Sequence, residues 1–113
     1  MTTDLVYLIT SDKIGSQDQE LGSRLMHIFF MKLIQAERLP SHILLMERGV
    51  QLLKTDSLAL DPIKLLAERG AEVWACQTCL EYYGIKDTIA AGRVSDMPDI
   101  IKAMQAAAKV IHL

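Results

Sequence analysis

Three short apolar runs constrain the fold of this chain most strongly: "DLVYLI" at residues 4–9, "HILLME" at 42–47 and "EVWAC" at 72–76. Each run is too short for a helix and is continuous rather than alternating in polarity. Such runs are typical of strands buried on both faces of a parallel sheet, and the segments between them are long enough for crossover helices. With a further strand in "KVIHL" at 109–113 and a short one in "GRV" at 92–94, we predict a three-layer α/β/α fold whose mainly parallel sheet has about five strands.

The size and composition of the chain fit one globular domain. It has 113 residues, of which 50% are hydrophobic and 23% are charged, and a chain of this length buries roughly two-thirds of the surface that it exposes when unfolded. We therefore predict a single domain over residues 1–113. The net charge of -2 at pH 7 provides no basic field for phosphates, so nucleic acid is not an expected partner.

The first residues, "MTTDLVYLIT", argue against a secretory signal or a membrane span. They carry an acid where a signal sequence has basic residues, and their apolar run is too short for either role. We expect a cytoplasmic protein with no membrane partner. In a reducing compartment, Cys76 and Cys79 are expected to be thiols rather than a structural disulfide.

A long helix is predicted between the first two strands, over residues 18–38. Seven apolar residues share one stripe that is wide enough to cover a face of the sheet: Leu21, Leu25, Ile28, Phe29, Leu33, Ala36 and Leu39. Four more large apolar residues lie off this stripe: Met26, Phe30, Met31 and Ile34. A monomer would expose this second set to water, which is costly, so we predict that it forms a subunit interface.

Two shorter helices have recognisable ends. The first is expected to have Asp61 as its N-cap, Pro62 in its first turn and Gly70 in the left-handed position after its end. The second lies in "SDMPDIIKAMQAAAK" and is expected to begin at Ser95 or Asp96.

Three loops are predicted to meet at the carboxyl edge of the parallel sheet, where ligands usually bind. They are "TSDKIGSQD", "ERGVQLLKTD" and "CQTC", and the first lacks a glycine pattern for binding nucleotide phosphates. The third contains Cys76, at the end of the third strand, and Cys79, in the first turn of the next helix. The partial positive charge at the start of a helix favours a thiolate there. Thr78, Arg48 and Gly49 are secondary candidates for contacts with a substrate, although Arg48 also fits a solvated loop position.

The two cysteines allow four interpretations from spacing and position alone. In the first, they fill a core as small hydrophobic groups. In the second, they bind a metal, although one CxxC and three scattered histidines are few ligands for zinc. In the third, they act as a thioredoxin-type dithiol, and in the fourth, one of them is a nucleophile that carries sulfur as a persulfide. Neither a metal nor a cofactor is required by the last interpretation.

The chain resembles the DsrE/DsrF-like family of small sulfur-carrier and sulfurtransferase proteins over nearly its whole length. The resemblance is carried by "QELGSRLMHIFF", "GVQLL", "ERGAEVWACQTCLEYYGIKDTIAAGRVSDM" and "KVIHL". Within it, "CxTCLxxYGxKD" is the most specific block, and it is similar to the C-terminal domain of YedF-type proteins, which are linked to selenium metabolism.

This resemblance implies a DsrE/F-like fold and a sulfurtransferase-like activity that needs no cofactor. It implies that Cys76, which directly follows the third strand, accepts sulfane sulfur as a persulfide and passes it to an acceptor thiol. It gives Cys79 a supporting role, as a second acceptor or as a thiol that resolves the persulfide.

The resemblance also implies protein partners. Relatives form homo-oligomers, so we expect a trimer, a hexamer or a dimer. YedF-type proteins commonly carry a SirA/TusA-like domain before this one, so we expect the sulfur donor or acceptor here to be a separate protein of that kind. Two alternatives stay open: a non-catalytic oligomeric binding module, and a dithiol oxidoreductase that uses both Cys76 and Cys79.

Overall fold

One five-stranded sheet runs through the computed structural model, which describes residues 5–113. The strands are β1 (Leu5–Ile9), β2 (His42–Leu45), β3 (Glu72–Cys76), β4 (Arg93–Ser95) and β5 (Lys109–His112). Their order across the sheet is β4-β3-β2-β1-β5, and every neighbouring pair is parallel. The predicted α/β fold with a parallel sheet of about five strands is therefore confirmed.

The helices divide unequally between the two faces of the sheet. They are α1 (Gln19–Leu33), a 3-10 helix (Glu47–Leu53), α2 (Leu60–Glu68), α3 (Gln77–Tyr83) and α4 (Met97–Ala106). Buried residues of the first four pack together in one large core, whereas α4 supplies the buried helical residues of a smaller core on the opposite face. None of the helices in residues 5–113 has the length and apolar content that a membrane crossing requires.

Helix α1 turns a different face to the sheet from the one that the sequence predicted. Its buried residues are Gly22, Met26, Phe30 and Leu33. Leu21, Leu25, Ile28 and Met31 are exposed, at 39–50% of their maximal surface. The prediction that Met26 and Phe30 are off the core was wrong because both faces of α1 are apolar, so hydrophobic periodicity alone does not orient the helix.

Glycine explains why this face packs inward. The N–H of Ile14 donates to the backbone carbonyl of Gly22 at 3.1 Å, and a Cβ at Gly22 would lie only 2.9 Å from the carbonyl oxygen of Ile14. The helix therefore approaches the loop after β1 closely at Gly22, and the residues four and eight positions later, Met26 and Phe30, lie on the same face.

The helix ends agree with the sequence in part. Asp96 caps α4 by accepting a hydrogen bond from the N–H of Asp99 at 2.9 Å, and Gly70 has a positive φ of 108° just after α2. The predicted cap at Asp61 is wrong, because α2 begins at Leu60 and Asp61 lies within its first turn. Helix α1 also ends at Leu33, before the predicted residue 38.

Candidate functional site

Cys76 ends β3 at the carboxyl edge of the sheet, but its side chain lies in the interior. Along β3, Val73 and Ala75 belong to the large core, whereas Trp74 and Cys76 face the smaller one, as strand alternation requires. Cys76 is only 2% exposed and packs in the same cluster as Ile100 of α4. A donor protein cannot reach this thiol directly in the structure.

Cys79 is the more accessible of the two cysteines. It lies in the first turn of α3, is partly exposed, and is a free thiol, as is Cys76. It lines a cavity of about 320 Å³ together with Glu47, Thr78, Tyr82 and Tyr83. Cys79 packs against both the large and the smaller core. It therefore lies between the buried Cys76 and the surface.

The loop after β2 directs a backbone amide at the Cys79 sulfur. Glu47 has a φ of 53°, and its N–H donates a hydrogen bond to Sγ of Cys79 at 3.1 Å. A non-glycine residue rarely adopts this left-handed conformation, and its occurrence beside a reactive group is typical of functional sites. The N–H group is therefore held where it can stabilise charge on the sulfur.

Gly49 fixes the conformation of this loop. It is buried, its N–H donates to the carbonyl of Met46 at 2.8 Å, and a Cβ at Gly49 would overlap the carbonyl oxygen of Ile9. The N–H of Met46 in turn donates to the carbonyl of Ile9 at 3.0 Å. The end of β1 thereby positions the turn that presents Glu47 to Cys79.

The surroundings of Cys79 act on its charge in opposite directions. Burial raises the pKa of the Cys79 thiol, and the neighbouring Cys76 and the Glu47 carboxylate add to this effect. The hydrogen bond from the Glu47 amide lowers the pKa, but the net direction is upward. The pKa of the Cys79 thiol therefore lies above its ordinary value despite the position of Cys79 in the first turn of α3, because burial outweighs the amide hydrogen bond.

Arg48 is close to the cysteine cavity without lining it. Its guanidinium donates to both carboxylate oxygens of Asp12, at 3.4 and 3.3 Å, and lies 5.9 Å from the ring centre of Tyr83. Arg48 and Asp12 both line a separate cavity of about 270 Å³. Burial by itself would raise the pKa of Asp12, but hydrogen bonds and charges from Arg48 and Lys13 bring it below its usual value.

The structure thus brings together some of the predicted site residues and adds others. Thr78 shares the cavity with Cys79, whereas Arg48 and Gly49 act on the surrounding loops. Sequence reasoning missed Glu47, because its contribution is a backbone N–H that no side-chain pattern reveals. Its position directly after β2 was the available signal, since that end of the strand meets the other loops.

A metal centre is not formed by the described part of the chain. Within residues 5–113, no group of three or more His, Cys, Asp or Glu side chains is arranged to hold an ion. Cys76 and Cys79 provide two sulfur ligands, and a structural zinc site needs four ligands.

Comparison with known proteins identifies one family. The family model described as the DsrE/DsrF-like family matches residues 4–113. No curated protein matches the chain.

Solved structures share the fold at low sequence identity. The ychN protein from E. coli is 14% identical, with a TM-score of 0.69 and coverage of 97% of this chain and 99% of that one. MTH1491 from Methanobacterium thermoautotrophicum, a protein of unknown function, is 19% identical, with a TM-score of 0.68 and coverage of 98% and 99%. BT1422 from Bacteroides thetaiotaomicron, also of unknown function, is 15% identical, with a TM-score of 0.62 and coverage of 97% and 95%.

Proposed function

Because the chain belongs to the DsrE/DsrF-like family, which is associated with sulfur relay, we propose that it is a small sulfur carrier with sulfurtransferase-like activity. One observation carries the proposal: a free thiol, Cys79, opens into a cavity, accepts a backbone N–H, and has a second free thiol, Cys76, three residues away. A thiol with these surroundings is suited to accept sulfane sulfur and to return it.

The geometry favours Cys79 as the thiol that meets the donor. The resemblance assigned this role to Cys76, but Cys76 is 2% exposed and Cys79 is partly exposed. In the proposed reaction, the Cys79 thiolate attacks the outer sulfur of a donor persulfide. A new S–S bond forms at Cys79, the S–S bond of the donor breaks, and the donor leaves as a thiolate that takes up the proton lost by Cys79. The reaction is redox-neutral and needs no cofactor.

The Glu47 amide supports the steps of this reaction in which the Cys79 sulfur is negatively charged. Its hydrogen bond to Sγ favours the thiolate over the thiol, although burial dominates the pKa of Cys79 in the resting protein. A donor that fills the cavity against Tyr82 and Thr78, both exposed, contacts Cys79 from the same side. We propose a protein donor or acceptor, such as a SirA/TusA-like protein, and by the same resemblance a closer relation to YedF-type proteins, with selenium as a further cargo.

We also propose that the carrier is a homo-oligomer through the exposed face of α1. Leu21, Leu25 and Ile28 are 39–50% exposed there, and such a run of large apolar side chains is costly in water. Replacing Ile28 with Glu is expected to lower the mass measured by light scattering to that of a smaller assembly. Ala67→Glu adds the same charge at an exposed position of α2 and is expected to leave the mass unchanged.

Intact mass spectrometry tests the carrier function. After exposure to a persulfide donor, the wild-type protein is expected to gain one sulfur atom that a thiol acceptor removes. Cys79→Ser is expected to abolish the gain, and Cys76→Ser is expected to retain it. A gain lost only in Cys76→Ser would return the accepting role to Cys76, and no gain in any form would reject the carrier function.

A dithiol oxidoreductase is the second candidate, favoured by the presence of two free thiols in one CxxC. It needs both cysteines, because a disulfide must form between them. Two results together would exclude the oxidoreductase. Cys76→Ser would still transfer sulfur, and the wild type would not lose the mass of two hydrogen atoms on oxidation.

A further inference from the structure

Ser95 is a buried polar residue in the strand next to Cys76. From the sequence, it is considered only as a candidate N-cap of a helix. It ends β4 and is 5% exposed. Among the residues that the structure describes, its hydroxyl is the buried side-chain oxygen or nitrogen that has no hydrogen-bond partner. Since such an unpaired group costs stability, its presence requires a separate reason.

The neighbour of Ser95 across the sheet is Cys76. The two residues are register partners in the parallel β3–β4 pair, each at the carboxyl end of its strand. Their side chains share a face of the sheet. The preceding pair on that face, Trp74 and Arg93, confirms this, because the guanidinium carbon lies 4.6 Å from the ring centre of Trp74.

A sulfur anion is the missing partner that fits this hydroxyl. A neutral thiol is a weak hydrogen-bond acceptor, whereas a thiolate or a persulfide anion accepts strongly from an O–H group. The apolar residues around Cys76, including Ile100, Ala103 and Leu44, carry no side-chain donor, and Cys79 is the other polar side chain close to the sulfur. Rotation about the Cα–Cβ bond of Ser95 redirects its hydroxyl without moving the strand.

We propose that Ser95 is a positioning residue whose hydroxyl donates a hydrogen bond to the Cys76 sulfur when that sulfur is anionic, which makes Cys76 an inner sulfur acceptor. The inference rests on the proposed carrier function. Sulfur enters at Cys79; the Cys76 thiolate then attacks the outer sulfur of the Cys79 persulfide. An S–S bond forms at Cys76, the one at Cys79 breaks, and Cys79 leaves as a thiolate that takes up the proton lost by Cys76. The exchange is redox-neutral.

Few other charged or titratable groups act on this pair. Cys79 on α3 and the Glu47 carboxylate at the start of the 3-10 helix lie on the cavity side. Arg93 of β4 shares the face but stacks on Trp74. Helix α4 presents the apolar Ile100 and Ala103 to Cys76, and its acids Asp96 and Asp99 are exposed at its start.

Thiolate absorbance in the ultraviolet tests the hydrogen bond directly. In the Cys79→Ser background, Cys76 is the remaining thiol, and a variant lacking both cysteines provides the blank that removes the tyrosine signal. Adding Ser95→Ala is expected to move the titration midpoint upward by about one pH unit, as the loss of one hydrogen bond to a charged group predicts. Ser95→Thr keeps a hydroxyl and is expected to keep the midpoint.

Stability and a matched control separate this role from a structural one. Ser41 donates its hydroxyl to the carbonyl of Leu5 at 3.1 Å, ahead of β2 and at the opposite edge of the sheet. Ser41→Ala is expected to lower the melting temperature without changing the titration. Ser95→Ala is expected to leave the melting temperature unchanged or higher, because it removes an unpaired buried hydroxyl.

The position of the bound sulfur gives a second readout. Peptide mapping of the sulfur-loaded wild type is expected to find part of the sulfur on Cys76, and Ser95→Ala is expected to reduce that part about tenfold, the effect of a one-unit shift. An unchanged midpoint in Ser95→Ala, or sulfur that never reaches Cys76, would overturn the inference. A wild type that takes up no sulfur would reject the carrier function instead, while the titration would still decide the role of Ser95.

Discussion

Glu47 donates its backbone N–H to the sulfur of Cys79 at 3.1 Å from a left-handed conformation, with a φ of 53°. The same residue acts on Cys79 in two opposing ways, because its amide lowers the pKa of the thiol and its carboxylate raises it. The backbone and the side chain of Glu47 therefore make separable contributions that mutation can resolve.

Replacing Glu47 with Gln is expected to increase the reactivity of Cys79. The substitution removes the negative charge that raises the pKa of the thiol but keeps the N–H donor. The pKa of the Cys79 thiol therefore falls, and the thiolate fraction near neutral pH rises. The measurement is the rate of alkylation against pH in the Cys76→Ser background. Glu81→Gln, an exposed carboxylate on α3 that pairs with Lys86, is the control, and an equal increase there would contradict a local effect.

Replacing Gly49 with Ala is expected to damage both the fold and the site. The added Cβ would overlap the carbonyl oxygen of Ile9, and overpacking of this kind costs roughly 1–3 kcal/mol of unfolding free energy. The strained turn at Glu47 would shift with it, so sulfur uptake on Cys79 should fall even in the folded fraction. Denaturant unfolding and intact mass measure the two effects. Gly15→Ala introduces a methyl in open space at a φ of 83°, and a comparable loss of uptake there would refute the explanation.

Helix α1 offers a direct test of which face packs on the sheet. Phe30 is fully buried, so Phe30→Ala is expected to lower the unfolding free energy by ~3–5 kcal/mol. Ile28 is 43% exposed, and Ile28→Ala should cost under about 1 kcal/mol in the monomer. Denaturant unfolding at a concentration that favours the monomer compares the two, and the reverse ranking would restore the orientation that hydrophobic periodicity predicted.

Asp12 is expected to contribute stability that depends on pH. Its pKa in the folded protein is below the usual value because Arg48 and Lys13 favour the carboxylate over the opposing effect of burial. The contribution is therefore complete above the pKa of Asp12 in the unfolded chain, about 4, and is lost as the pH falls through its lower pKa in the folded protein. Asp12→Asn should make the unfolding free energy less dependent on pH between about 5 and 3. Asp61→Asn, at an exposed acid of α2, is the control. An equal change in the pH dependence of its unfolding free energy would contradict a role for the ion pair between Asp12 and Arg48.

The sequence by itself determined the type of fold and the edge of the sheet at which the two cysteines lie. Short continuous apolar runs such as "EVWAC" predict buried parallel strands, and parallel strands bring their carboxyl-end loops together, so Cys76 and Cys79 were placed at the correct edge. Local signals such as Gly70 and Asp96 also located helix ends, because capping depends on a few neighbouring residues.

Only the tertiary structure decided what depends on contacts between distant segments. It rotated α1 so that Phe30 lies in the core, since two apolar faces compete and the close approach at Gly22 favours one of them. It buried Cys76 under α4 and left Cys79 open, because burial is set by the elements that pack on a residue and not by its spacing in the chain. It also placed the amide of Glu47 on the sulfur of Cys79 and Ser95 opposite Cys76 in the sheet, across 32 and 19 positions of the sequence.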